Sequence, residues 1–125
     1  MSKVIYHSTI NQIGDFAQAT LADGMLILFK QGAPADLADY CFIHNHDDLK
    51  QELAVGQSLQ LGNHIYQITS VGDVASVNFR ELGHITLRFD GNQQAELPGT
   101  VHVQGKLPIQ LNVNDEIKIL SNEGI

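Results

Sequence analysis

Short runs in which apolar and polar residues alternate, each ended by turn residues, most strongly constrain the fold of this 125-residue chain. Successive side chains of an extended strand point to opposite faces, so this alternation predicts strands rather than helices. Gly62-Asn63 stands between two such runs, as a tight hairpin requires, and Asp90-Gly91 ends another. The predicted strands are Val4–Ile10, Met25–Phe29, Tyr40–His44, Ser58–Leu61, Ile65–Val71, His84–Phe89, Thr100–Val103 and Glu116–Leu120.

The predicted fold class is all-β, a small barrel-like or two-sheet domain of about eight short strands with one or two short helical turns. The helical turns are predicted at Asp15–Leu21 and at Asp47–Leu53, where acidic residues occupy the first turn. Residues Ala54–Leu61 and Asn112–Ile119 share a turn followed by an alternating strand, which favours a barrel with two similar halves. We expect a single domain over residues 1–125, because this length suits one core and no linker interrupts the pattern.

The composition excludes several classes of protein. Seven basic residues against fourteen acidic ones give a net charge of −7, which repels a phosphate backbone, so nucleic-acid binding is not expected. The longest wholly apolar run, Met25 to Phe29, is too short to cross a bilayer, and the N-terminus lacks a signal-peptide stretch. We therefore expect a soluble, cytoplasmic protein without membrane insertion. Cys41 is the single cysteine, so an internal disulfide is excluded.

Six histidines are the obvious source of chemistry, because imidazole is a nucleophile that is largely neutral near pH 7. Two of them, His44 and His46, stand at the end of the predicted strand Tyr40–His44. On that strand the side chains of Cys41 and His44 point in opposite directions, so a Cys–His nucleophilic pair is not expected. We interpret Cys41 as a small buried hydrophobic residue.

The sequence His44-Asn45-His46 allows two interpretations from its spacing alone. Its histidines are polar residues at a strand end, or they are metal ligands as in cupins, which are also small β-barrels. The distances in sequence to the neighbouring glycines and to Glu52 depart from the cupin pattern, so we expect no metal site and no cofactor. The alternative function is a cupin-like barrel that binds a metal or a metabolite through His44, His46 and His102.

A second polar face is predicted on the strand His84–Phe89. His84, Thr86 and Arg88 lie on one face of that strand, opposite its apolar residues. A guanidinium binds phosphate through two parallel hydrogen bonds, so this face suits an anion, although a plain solvated face has the same pattern. His102 continues the alternation between two valines of the strand Thr100–Val103.

Four separated segments, Gly32–Leu37, Tyr40–His44, Arg80–Gly91 and Pro98–Val103, occur in this order along the chain and are together more specific than any single short motif. Together they resemble the sorbitol (glucitol)-specific IIA family of the sugar phosphotransferase system. The resemblance implies a cytoplasmic phosphocarrier that accepts a phosphoryl group from the phosphocarrier protein HPr. It implies transfer of that group to a cysteine of the IIB unit of the sorbitol transporter, a membrane complex that includes the IIC unit.

The resemblance also implies that His44, the last residue of the segment Tyr40–His44, carries the phosphoryl group. A neutral imidazole can attack without a separate base, and its other ring nitrogen should donate a hydrogen bond that holds the ring. The phosphoryl oxygens need hydrogen-bond donors as charge shifts in the transition state. From the alternation we predict that at least one of His84, Arg88 or His102 lies within reach of the His44 ring.

Overall fold

Eight strands close into a barrel in the computed structural model of this chain, which describes residues 3–95, 97–107 and 110–121. In chain order the strands are β1 (Lys3–Ile13), β2 (Met25–Lys30), β3 (Phe42–His44), β4 (Ser58–Leu61), β5 (His64–Val71), β6 (Ile85–Arg88), β7 (Thr100–Gln104) and β8 (Glu116–Ser121). The helices of the described ranges are α1 (Ala17–Ala22), α2 (Ala35–Ala38) and α3 (Ala75–Leu82). Around the barrel the strand order is β1-β3-β2-β6-β7-β5-β4-β8.

The all-β class and the barrel predicted from alternation are confirmed, because each of the eight predicted strands overlaps an observed one. The helical turn predicted at Asp15–Leu21 is also confirmed, since α1 begins two residues later and ends one residue later. Two helices were not predicted. The longer one, α3, begins after Val74 without a side-chain cap, so the usual polar signal for a helix start is missing from the sequence.

The helix predicted at Asp47–Leu53 is wrong, because this segment contains no helical residue. Leu49 and Leu53 are both buried, and their spacing of four residues imitates the apolar stripe of a helix. The backbone amides of this segment are bonded elsewhere, that of Lys50 to the carbonyl of Ile5 and that of Leu53 to a serine hydroxyl. The segment is therefore held against the barrel by its neighbours rather than by its own turns.

The strand register places the candidate site residues at two levels of the barrel. Strands β2 and β3 are parallel, with Lys30 opposite His44, and this pair defines the first level. On the other side of β2, Met25 is opposite Arg88 of β6, which in turn is opposite His102 of β7. Met25 and Lys30 are five residues apart on β2, so the second level lies about 16 Å along the strand from the first at roughly 3.3 Å per residue.

One end of the barrel is covered by α3. Ala75 and Phe79 of this helix are fully buried and belong to the same apolar core as the inward-facing strand residues. The Phe79 ring lies 4.5 Å from the ring of Tyr6, which comes from β1. This packing fixes the C-terminal end of α3 over the first level of the barrel.

Outside the barrel, Phe29, Cys41 and Ile43 form a smaller apolar cluster. Cys41 is a free cysteine with 2% of its surface exposed, which confirms that it is a small buried hydrophobic residue. Its neighbour Phe42 points into the barrel core, so the two faces of β3 are as predicted. In the ranges that the structure describes, no helix has both the length and the apolar character needed to cross a membrane.

Candidate functional site

His44 is completely buried at the end of β3, with 0% of its surface exposed. Its Nε2 lies 2.8 Å from the carbonyl oxygen of Gly83, and its Nδ1 lies 2.9 Å from the hydroxyl of Ser8. A carbonyl oxygen can only accept a hydrogen bond, so Nε2 carries the proton in this arrangement. Nδ1 therefore holds the lone pair and accepts from the Ser8 hydroxyl.

Burial is the main cause that lowers the pKa of His44, from 6.5 to about 4. The hydrogen bond to the Gly83 carbonyl opposes this change, and the nearby charge of His46 adds to it. At neutral pH the imidazole is consequently uncharged, with a lone pair on Nδ1 that accepts a hydrogen bond from Ser8. This is the ionisation state that a nitrogen nucleophile requires.

His46 follows two residues later and is held in the same manner. Its Nε2 lies 2.8 Å from the carbonyl oxygen of Arg80, and its Nδ1 lies 2.7 Å from the hydroxyl of Tyr6. Burial raises the pKa of Tyr6 to about 12, so this hydroxyl keeps its proton and donates it to His46. The same hydroxyl lies 3.2 Å from Nδ1 of His44, so Tyr6 connects the two imidazoles.

Both histidines are bonded to carbonyl groups at the C-terminal end of α3. The last carbonyls of a helix have no partner within the helix, and imidazole N–H groups satisfy two of them here. Gly83 follows the helix with φ of 61°, a left-handed conformation that favours glycine. A Cβ atom on Gly83 would lie 3.0 Å from Nε2 of His44 and 3.1 Å from Cγ of His46. The glycine thus allows both rings to approach the helix end.

One basic side chain, that of Lys30, lies beside the histidines, and a second, that of Arg80, comes from the helix turn whose carbonyl is bonded to His46. Lys30 is opposite His44 in the β2–β3 register, and its Nζ lies 3.3 Å from a carbonyl oxygen in the last turn of α3. The guanidinium of Arg80 forms an ion pair with Glu52. A cavity of about 360 Å³ opens beside this site and is lined by Lys30, Gln31, Asn45 and His46. The surroundings of His44 therefore combine a neutral imidazole with the ammonium group of Lys30, which can contact an anion.

His84 directly follows Gly83 in the sequence, but its side chain lies on the outer side of the barrel wall. Its Nδ1 lies 3.1 Å from the carbonyl oxygen of Leu28, and its ring packs 4.9 Å from that of Phe29, a member of the outer apolar cluster. The residue before it, Gly83, supplies the carbonyl that holds His44. A helper role for His84 stays a prediction.

Arg88 and His102 are brought together, but at the second level of the barrel. They are opposite each other on β6 and β7, and both line a separate cavity with Asp90. The Nδ1 atom of His102 lies 2.7 Å from a carboxylate oxygen of Asp90. Neither residue shares a contact with the His44 ring within the described part of the chain. The alternation therefore identified a pair of polar residues on neighbouring strands, but not their distance from His44.

Sequence analysis did not identify the groups that hold His44. Of these groups, Ser8 could have been predicted from the sequence pattern. Tyr6, Ser8 and Ile10 share a face of β1 that is otherwise apolar, and all three are buried. A serine on such a face needs a hydrogen-bond partner, which His44 provides. Gly83 shows no comparable signal, since its importance depends on where α3 ends.

The residues present do not form an evident metal site. Within residues 3–95, 97–107 and 110–121, no three side chains of His, Cys, Asp or Glu are grouped so that they could hold a metal ion. His44 and His46 each use both ring nitrogens in contacts with protein groups. A metal could bind them only if those contacts were broken.

Comparisons with known proteins agree on one family. Residues 5–118 match the sequence model of the family described as "PTS system glucitol/sorbitol-specific IIA component". Proteins from Shigella flexneri and from Escherichia coli (strain K12), each named "PTS system glucitol/sorbitol-specific EIIA component", are 53% identical to this chain over 118 residues. The matches cover 94% of this chain and 96% of each relative.

A solved structure shows the same fold. The crystal structure of a PTS system IIA component from Enterococcus faecalis V583 superposes with a TM-score of 0.81 at 25% sequence identity. The superposition covers 92% of this chain and 99% of that one. These similarities do not favour the cupin-like alternative.

Proposed function

We propose that this chain, which belongs to the family of PTS glucitol/sorbitol-specific IIA components, carries its phosphoryl group on His44. The donor is HPr, the acceptor is the IIB unit of a sorbitol transporter that includes the membrane-bound IIC unit, and both transfers take place in the cytoplasm. The observation that carries this proposal is the state of the His44 ring. It is neutral, it has a lone pair, and both of its nitrogens are held by neighbouring groups.

The chemistry needs little beyond that ring. The Ser8 hydroxyl releases its hydrogen bond to Nδ1, the lone pair of Nδ1 attacks the phosphorus atom, and the bond between phosphorus and the donor side chain breaks. No proton has to be removed from the nucleophile first. The product bears roughly two negative charges. Lys30 lies beside the site and can offset part of that charge, and the Ser8 hydroxyl can either donate to or accept from the ring.

Access to the ring requires a local movement, because His44 has no exposed surface. The groups that surround it on the side of the cavity are Gly83, Lys30 and the half-buried His46. Of these, His46 is held by two side-chain hydrogen bonds, to Tyr6 and to the Arg80 carbonyl. Breaking them costs about 1–3 kcal/mol in total, which the docking of a protein partner can supply. We therefore propose that partner binding displaces His46 and opens the way to His44.

The test is phosphorylation of the purified protein by phosphoenolpyruvate, enzyme I and HPr, followed by intact mass spectrometry. The native chain should gain the mass of one phosphoryl group and lose it again when the IIB unit is added. His44→Gln should gain none, and its circular dichroism spectrum should match that of the native chain. His7→Gln and His64→Gln are matched controls, because both side chains are exposed, and each should be labelled normally. Normal labelling of folded His44→Gln protein would contradict the assignment.

A further inference from the structure

The hydroxyl of Tyr6 is a buried hydrogen-bond donor that faces two ring nitrogens. It lies 2.7 Å from Nδ1 of His46 and 3.2 Å from Nδ1 of His44. Each imidazole carries its own proton on Nε2, because that atom is bonded to a carbonyl oxygen, which can only accept. Both Nδ1 atoms are therefore acceptors, and the one proton of the hydroxyl can serve only one of them.

While His46 is in place, the proton of Tyr6 is directed to that residue. The contact with His46 is the shorter of the two, and Nδ1 of His44 already accepts from the Ser8 hydroxyl at 2.9 Å. The contact between the Tyr6 oxygen and Nδ1 of His44 consequently has no proton in it. The hydroxyl thus stands beside the atom that attacks phosphorus without being bonded to it.

The position of this hydroxyl is fixed by the fold. Tyr6 is 1% exposed, it belongs to β1, and its ring packs 4.5 Å from that of Phe79 in α3. Burial raises the pKa of Tyr6 to about 12, so the hydroxyl keeps its proton at physiological pH. Donors that are held in place before the reaction are the ones that stabilise a transition state most effectively.

We propose that Tyr6 is a catalytic hydrogen-bond donor to the phosphoryl group on His44, an inference that rests on the function proposed above. When His46 is displaced, the Tyr6 hydroxyl loses its acceptor and donates to an oxygen of the phosphoryl group that arrives at Nδ1. The bond between Nδ1 and phosphorus forms, the bond between phosphorus and the donor side chain breaks, and the proton stays on Tyr6 throughout. Displacement of His46 therefore opens the way to the ring and also releases the hydroxyl.

The rate of phosphorylation by HPr in a chain that lacks the His46 ring tests this role. In His46→Ala the hydroxyl has no imidazole to hold, so adding Tyr6→Phe reports on donation to the phosphoryl group alone. The double variant should be labelled about 10- to 150-fold more slowly than His46→Ala, the change expected for one hydrogen bond to a charged group. The phenyl ring keeps the packing against Phe79, so the variant should fold.

Tyr66→Phe in the same His46→Ala chain is the matched control. Tyr66 is also buried, and its pKa is also raised to about 12, but its hydroxyl donates to the carbonyl oxygen of Lys106 at 2.8 Å. This control should be labelled at the rate of His46→Ala. If the chain with Tyr6→Phe is labelled at that rate as well, Tyr6 only holds His46 and the proposal is overturned.

A second measurement uses the native chain and needs no variant. Nuclear magnetic resonance of ¹⁵N-labelled phosphorylated protein shows which ring nitrogen of His44 is bonded to phosphorus. We expect Nδ1, the nitrogen beside Tyr6, and a phosphoryl group on Nε2 would also overturn the role of Tyr6. Both contrary results would leave the carrier assignment intact, because that assignment fails only if folded His44→Gln protein is labelled or the native chain is not.

Discussion

Replacing Gly83 with alanine tests whether the end of α3 holds the His44 ring in the position that the proposed transfer requires. At φ of 61°, the left-handed conformation of an alanine lowers the free energy of unfolding by about 1–2 kcal/mol. Its Cβ atom would also lie 3.0 Å from Nε2 of His44, so the ring must shift and its bond to the carbonyl of residue 83 weakens. Loss of that bond adds about 1 kcal/mol, for a total of about 2–3 kcal/mol.

This total predicts a measurable change in melting temperature. Unfolding of a 125-residue chain releases about 2.1 cal/mol/K per residue, so the variant should melt about 8–12 °C below the native protein. Gly24→Ala is the matched control, because Gly24 has φ of 89° and a Cβ atom there would meet nothing within 4 Å. It should lose only the backbone contribution, about 4–8 °C. Thermal unfolding followed by circular dichroism measures both values.

The two variants should differ more strongly in phosphoryl transfer than in stability. A displaced ring is no longer held for attack, so Gly83→Ala should accept phosphate from HPr about 10- to 100-fold more slowly, whereas Gly24→Ala should react at the native rate. Rapid-quench labelling followed by intact mass gives both rates at a temperature where each variant is folded. If Gly83→Ala reacts as fast as the native chain, the carbonyl of residue 83 does not position His44 and the reasoning fails.

The remaining predictions concern the same ring. Ser8→Ala removes a donor to Nδ1 of His44 and should lower the melting temperature by about 4–12 °C, the equivalent of 1–3 kcal/mol, while Thr9→Ala on the outer side of β1 should change it little. His46→Ala removes the two side-chain bonds that close the way to His44 and should speed labelling, and labelling at the native rate would exclude a role for His46 in access. Because the folded pKa of His44, about 4, lies below the unfolded value of 6.5, the unfolded state binds more protons between them. Stability should therefore fall by up to about 1.4 kcal/mol per unit as the pH drops from 6.5 to 4, and denaturant titrations should show a smaller fall in His44→Gln. Phosphorylation should proceed at the native rate after treatment with a strong chelator, and loss of activity that returns with added metal would instead support the cupin-like alternative.

Local patterns were sufficient for the strands and for α1, and insufficient for the other two helices of the described ranges. Alternation is a property of neighbouring residues, so it located all eight strands and the two faces of β3 from the sequence alone. The segment Asp47–Leu53 shows where this fails, because two buried leucines at helical spacing can also belong to an irregular chain held by the barrel. The helix α3 has no polar cap, so only its packing against the barrel end reveals it.

The candidate site, too, was only partly predictable from the sequence. The resemblance of separated segments pointed to His44, but its partners Ser8, Tyr6 and Gly83 meet it only through the closure of the barrel and the end of α3. For Arg88 and His102, alternation identified a polar pair on neighbouring strands. It could not give the level at which those strands align with β2 and β3, because strand register depends on long-range pairing.

The bonds around His44 also bear on how the chain reaches its native state. They join residues that are 36 to 39 positions apart, across three separate parts of the chain. Contacts of such separation form late, because the entropy of closing long loops is lost before they contribute. Until the barrel closes, His44 is an ordinary imidazole that is free to rotate and to take up a proton near pH 6.5. Its low pKa is therefore a signature of completed folding, and during refolding it should develop together with the last strand pairing rather than with the first collapse.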